Sequence, residues 1–130
     1  MSAVQTIVVA YDDPESRTLT RAADLAQSLN AALIVTNVVP DDRESPESST
    51  EYSQERLDQA RAALAERGLD AELVPTSGQP AEAIVALAKE RNADLIVVGM
   101  RKKGFFERLV EGSVAQDVMR SATCDVLAVH

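Results

Sequence analysis

Short runs of β-branched and aliphatic residues alternate strictly with stretches of helical spacing along the whole chain. Thr6-Ile7-Val8-Val9-Ala10, Leu33 to Val39, Ala71 to Pro75, Asp94 to Val98 and Asp125 to Val129 read as strands. Runs of this kind, apolar at successive positions, belong to strands buried on both faces. Between the first two, Asp13-Pro14-Glu15 reads as a helix start, with Asp13 as cap and Pro14 at the first helical position. Leu19, Ala22, Ala23, Ala26 and Leu29 follow on one helical face, and Asn30 suits the end. Glu51 to Arg67 is a charged helix with an apolar stripe at Leu57, Ala60 and Leu64, closed by Gly68. Gly78-Gln79-Pro80 opens a third helix carrying Ala81, Ile84, Val85 and Ala88, and Ser113 to Ala122 is a fourth. A βαβαβαβαβ order implies right-handed crossovers. The expected fold is α/β: a single open five-stranded parallel sheet with helices on both faces, one domain over residues 1–130. Pro75 marks the third strand as an edge.

Composition narrows the function. The 130 residues carry 21 acids and 13 bases, a net charge of −8. Extended nucleic acid and anionic membrane surfaces both require bases in excess, so neither is an expected partner. Abundant acid with scarce Lys also hints at a salt-rich, halophilic interior, where self-repulsion is screened. One Cys (Cys124) and one His (His130) provide no disulfide, no multi-His metal centre and no ready catalytic triad. Cys124 reads as a small buried residue rather than a redox switch, since no neighbouring base lowers its pKa. The opening residues, Met1 to Gln5, carry neither basic region nor apolar core, and no apolar run approaches bilayer length. The expected location is cytoplasmic.

Ligands of open parallel sheets sit outside the carboxyl ends of strands, where strand order reverses. The loops there begin at Tyr11-Asp12-Asp13, after Val39, at Ser77-Gly78 and at Gly99. The stretch Pro40 to Thr50 reads as a mobile acidic loop. The loop from Gly99 differs in sign: Arg101, Lys102, Lys103 and Arg108 stand against Glu107 alone. It runs into Gly112-Ser113, and Ser113 with Gln116 has capping-box spacing. Bases and glycines before a helix N-terminus suit a phosphate; a solvated basic loop and a plain cap are the blander alternatives. Neither a Walker A loop nor a G-x-G-x-x-G fingerprint is present, since Phe105-Phe106 stands where the first requires Lys-Ser/Thr.

These residues resemble the universal stress protein family. The resemblance runs over nearly the whole chain. It is carried by Ile7-Val8-Val9-Ala10-Tyr11-Asp12, Leu33 to Val38, Gly78-Gln79-Pro80-Ala81-Glu82-Ala83-Ile84, Ala93 to Gly99, Gly112-Ser113-Val114 and Cys124-Asp125-Val126-Leu127. The family pattern G-x2-G-x9-G-[ST] falls with its first Gly on Gly99 and its last pair on Gly112-Ser113. The resemblance implies a Rossmann-like fold of the adenine nucleotide alpha hydrolase type, with ATP or a related adenine nucleotide between strands 1 and 4. It places Asp12 and Val38 beside adenine and ribose, with Ala10 and Tyr11 adjoining. Gly99, Gly112, Ser113, Val114 and Ala115 lie beside ribose and phosphates, with Arg101 and Lys102 in the same loop. It also implies a homodimer through the last strand, Val126 to Val129, and a stress-linked regulatory role. The second Gly of the pattern is Lys102 here. Either its ammonium reaches the phosphates as a point charge, or its Cβ excludes the conformation a Gly allows.

Rival functions follow from the same loops. Asp12-Asp13 mimics the acidic pair of a receiver domain, but phosphoryl acceptance also needs an Asp after strand 3, where Thr76-Ser77-Gly78 stands. Asp12 and Asp13 also suit Mg²⁺ as hard oxygen ligands, so slow ATP hydrolysis is a second alternative; no activated nucleophile accompanies them. A signalling dimer without nucleotide is the third.

Overall fold

The computed structural model describes residues 4–14, 16–39, 50–100 and 113–130. Its elements are β1 (Thr6–Ala10), α1 (Thr18–Leu29), β2 (Ala32–Val39), α2 (Thr50–Glu66), β3 (Glu72–Ser77), α3 (Pro80–Glu90), β4 (Leu95–Gly99), α4 (Ser113–Ser121) and β5 (Asp125–Val129). The strands pair in parallel in the order β3-β2-β1-β4-β5. The expected α/β sheet is therefore the one observed, and β3, with Pro75, lies at an edge.

Alternation along each strand sorts side chains to two layers. Ile7, Val9, Leu33, Val35 and Val97 face α1 and α2, meeting Leu19, Ala22, Ala26, Leu57, Ala60 and Leu64. Val8, Ile34, Ile96 and Val98 face α3 and α4, meeting Ile84, Val85, Ala115 and Val118. Central strands β1 and β4 are apolar at every turn because both faces are covered. Ile7, Val8 and Val9 are wholly excluded from solvent, each burial being worth about 1.5–3 kcal/mol.

The amino edge is stitched by one carboxylate. Asp94 Oδ2 accepts from the backbone N–H of Gln5 at 2.8 Å and of Thr6 at 3.0 Å. The Asp94 N–H in turn donates to the Thr6 carbonyl at 2.9 Å. This locks the start of β1 to the start of β4 across a long sequence separation. At the β3 edge, Arg91 at the end of α3 forks onto both oxygens of Glu72, at 3.0 and 2.8 Å.

One helix start differs from the sequence expectation. α1 begins at Thr18 with Arg17 in the cap position, not after Asp13. The Asp13 carbonyl instead accepts from Ser16 N–H at 3.0 Å, so Pro14 serves a turn, for which its fixed φ suits equally well. α4 spans Ser113–Ser121, and the residues before it, on which the capping reading of Ser113 turns, lie outside the described residues. The helix ends fare better. Asn30 takes the left-handed conformation, φ 54°, that closes α1, and Gly68 does so after α2, φ 69°. Gln79 caps α3, accepting from Glu82 N–H at 2.7 Å, with Pro80 behind it. The acidic loop expected at Pro40 to Thr50 lies outside the described residues except for Thr50, which opens α2.

Candidate functional site

The reversal of strand order falls between β1 and β4. From β1 the chain crosses to α1 on one face; from β4 it crosses to α4 on the other. The two connections part at this point and leave a crevice above the strand ends. Register sets its floor. Val9 pairs with Val97, and Ala10 with Thr36, so β1 and β4 end at similar height. β2 runs on past them, which brings Val38 level with Asp12.

Ala10, Asp12, Val38, Gly99, Ser113 and Val114 thus gather around one end of the sheet. Asp12 is exposed, and Ala10, Val38, Gly99, Ser113 and Val114 are partly so. The other two described members of the expected set differ. Tyr11 is buried in the layer beneath α1 and α2, and Ala115, on α4, is buried against the opposite face of the sheet. Each offers the crevice its backbone only. Arg101, Lys102 and Gly112 lie outside the described residues.

Gly99 is confined on the α1 side. A Cβ there would stand 2.8 Å from the Thr18 hydroxyl oxygen, so the last residue of β4 admits α1 only because it lacks a side chain. α1 and α4 both begin at this end of the sheet, and the N-terminal polarity of a helix favours anions. α1 has no acidic residue in its first turn and no side-chain hydrogen bond from its cap residue.

The floor beside Asp12 is braced from β2. Asn37, buried in the strand, donates through Nδ2 to the Tyr11 carbonyl at 2.8 Å, and the Tyr11 N–H donates to the Thr36 carbonyl at 2.8 Å. Burial pushes the Tyr11 phenol upward, opposed by the nearby Arg56 guanidinium and reinforced by Asp13 and Asp12. Asn37, Thr18 and Arg56 were not singled out by sequence reasoning. For Asn37 a signal exists: it is the amide in an otherwise aliphatic and threonine strand, where a polar residue survives only if bonded. Thr18 and Arg56 carry no comparable local signal.

No group of three or more His, Cys, Asp or Glu side chains gathers as a metal site among the described residues. Cys124 is half-buried at the opposite end of the sheet, and burial, with Asp125 and Asp94, holds its thiol above the ordinary value. No helix among the described residues is long and apolar enough to cross a membrane.

A doubly wound parallel sheet whose strand order reverses at the β1/β4 junction defines a Rossmann-like class of α/β fold. Within that class, the chain belongs to the universal stress protein family, whose sequence pattern it matches over residues 3–130. It is 38% identical to a universal stress protein of Thermus aquaticus, over 97% of this chain and 98% of that one. It is 40% identical to universal stress protein YxiE of Bacillus subtilis, over 57% of this chain and half the length of that protein. Among solved structures it is similar to a universal stress protein in complex with cAMP, at 34% identity and TM-score 0.71, covering 99% of both chains. It is also similar to the Archaeoglobus fulgidus universal stress protein in complex with dAMP, at 28% identity and TM-score 0.71, covering 97% of this chain and 98% of that one.

Proposed function

We propose that this protein is a cytoplasmic, stress-linked regulator that binds ATP or a related adenine nucleotide in the β1/β4 crevice, as a homodimer paired through β5. The observation that carries the reading is the convergence of Asp12, Val38, Gly99 and Ser113 on one end of the sheet. The two similar structures with bound adenine monophosphates support it. Val38 and the aliphatic strand ends offer an apolar seat for a purine. Asp12 is placed to accept from ribose hydroxyls. The N-terminus of α4, preceded in sequence by Arg101, Lys102 and Gly112, is suited to phosphate oxygens. If magnesium accompanies a triphosphate, Asp12 is the protein ligand we assign to it. The expected role is to hold and release the nucleotide, since no activated nucleophile stands beside the site among the described residues.

β5 supports the dimer. It is the outer strand of the sheet and offers a half-buried apolar stretch, Val126 to Ala128. An open edge of that composition favours pairing with a second copy.

The test begins with protein purified without added nucleotide. Denaturation should release ATP, ADP or AMP, and titration with ATP and cAMP should saturate. Lys102→Gly separates the two readings of that position: weakened binding assigns its ammonium to the phosphates, and strengthened binding assigns it as an obstruction. A bulky residue at Gly112 should abolish binding. No binding by wild type or Lys102→Gly at millimolar nucleotide overturns the proposal. A dimer that persists in that case favours the signalling module without nucleotide.

A further inference from the structure

Three buried side-chain atoms among the described residues have no hydrogen-bond partner in the protein: Asn37 Oδ1, Ser53 Oγ and Arg56 Nε. Asn37 is 3% exposed and Ser53 1%. All three belong to one corner. Asn37 follows Leu33 and Val35 on the face of β2 that meets α2. Ser53 lies one turn before Leu57 on the sheet-facing side of α2, and Arg56 is three residues further on. α2 runs back against β2, so its first turns stand over the carboxyl ends of β1 and β2.

Two of the three residues act on Tyr11. Asn37 holds its carbonyl, and Arg56 is near enough to act on its phenol. The rest of the Arg56 guanidinium is committed. Nη1 donates to Gln59 Oε1 and Nη2 to the Tyr52 hydroxyl, both at 2.9 Å, and the group lies 4.5 Å from the centroid of the Tyr52 ring. Its Nε–H, by contrast, is buried without a partner in the protein.

The chemistry of the three atoms selects what they hold. Asn37 Oδ1 only accepts, Arg56 Nε only donates, and the Ser53 hydroxyl does either. An anion would satisfy Arg56 and be repelled by Asn37 Oδ1. A cation would do the reverse. A small neutral molecule that both donates and accepts serves all three, and buried waters make about three such bonds.

We infer that Asn37, Ser53 and Arg56 share one internal water beneath the nucleotide loop, and that Asn37, fixed on its far side by this water, is the positioning residue for the Tyr11–Asp12 turn. The second half of this inference rests on the adenine-nucleotide reading above. The water ties α2 to the strand end that starts the crevice, so the amide that holds the Tyr11 carbonyl cannot rotate away without breaking a second bond.

A high-resolution crystal structure of the nucleotide-free protein tests the first half. A density peak within about 3.2 Å of Asn37 Oδ1, Ser53 Oγ and Arg56 Nε is expected. A dry corner, or the three groups bonded directly to one another, overturns it. Titration with ATP tests the second half. Asn37→Ala should weaken binding ~10-fold, the scale of one lost hydrogen bond, while Ser53→Ala, which leaves the Asn37–Tyr11 bond in place, stays within ~2-fold of wild type. The amide resonances of Tyr11 and Asp12 should shift in Asn37→Ala and hold in Ser53→Ala. If Asn37→Ala does not fold, Asn37→Asp, isosteric but unable to donate when ionised, carries the same expectation. Wild-type affinity in the Asn37 variants overturns the positioning role and leaves the nucleotide site standing. Absence of nucleotide binding by wild type overturns the site, and the crystal structure still decides the water.

Discussion

The Thr18 hydroxyl occupies the space that a side chain on Gly99 would need, 2.8 Å from the place of its Cβ. The first residue of α1 and the last residue of β4 are thereby fitted to each other across the crevice. Thr18 is buried and β-branched, so its oxygen has few alternative positions.

Gly99→Ala should therefore destabilise the protein by about 1–3 kcal/mol, the usual cost of overpacking. Thr18→Ala removes the opposing oxygen and leaves the Thr18 Cβ at 4.0 Å from the new methyl. The double variant should recover most of the loss, which denaturant unfolding of the four proteins in the cycle measures.

Asp94 should be a costly residue to lose although it lies far from the crevice. Its two backbone donors belong to β1, and bonds to a charged group are worth about 1.5–3 kcal/mol each at most. Asp94→Ala should lower the unfolding midpoint and speed hydrogen exchange at Gln5 and Thr6. Asp94→Asn should retain part of the stability, since its carbonyl oxygen accepts in the same place.

The Glu72–Arg91 fork gives an acid-side dependence. The hydrogen bond and charge of Arg91 hold the Glu72 carboxyl below its ordinary 4.5. A carboxyl lowered on folding adds stability that is complete above its unfolded value and fades as pH falls through the folded one. Wild type should thus lose its advantage over Glu72→Gln as pH drops below about 4.5. The pair is half-exposed, so the effect is small and shrinks with salt. Thermal unfolding of both proteins between neutral and acid pH measures it.

Cys124 should react slowly while the protein is folded. Its thiol is held above the ordinary 9.0 by burial and by two neighbouring carboxylates, and the thiolate is the reactive form. Alkylation by iodoacetamide should climb with pH beyond 9 without levelling, and should accelerate on unfolding.

Much of the architecture was legible in the sequence because the physics was local. Strands β1 and β4 announce themselves through unbroken aliphatic runs, which only a doubly covered sheet explains. Asn30, Gly68 and Gln79-Pro80 mark helix ends by conformational chemistry that needs no distant partner. The start of α1 was not legible, because Asp13-Pro14 serves a turn and a helix cap equally well. At the site, Asp12, Val38 and Gly99 were placed by strand ends and family pattern. The burial of the Tyr11 and Ala115 side chains was not, because it depends on which layer each faces. Asn37 escaped notice because its bond to the Tyr11 carbonyl joins β2 to the residue just past β1, far from it in the chain.

The position of β1 in the middle of the sheet has a consequence for how the molecule comes into being. Its β2 side can be covered as soon as the second strand leaves the ribosome, but its β4 side must wait for residues 95–99. Synthesis thus passes through a stage with an aliphatic strand open along one flank, a stage at which chains are prone to associate wrongly. The crevice lies along that late seam. A small molecule seated across it selects finished chains over unfinished ones and adds its own affinity to their persistence.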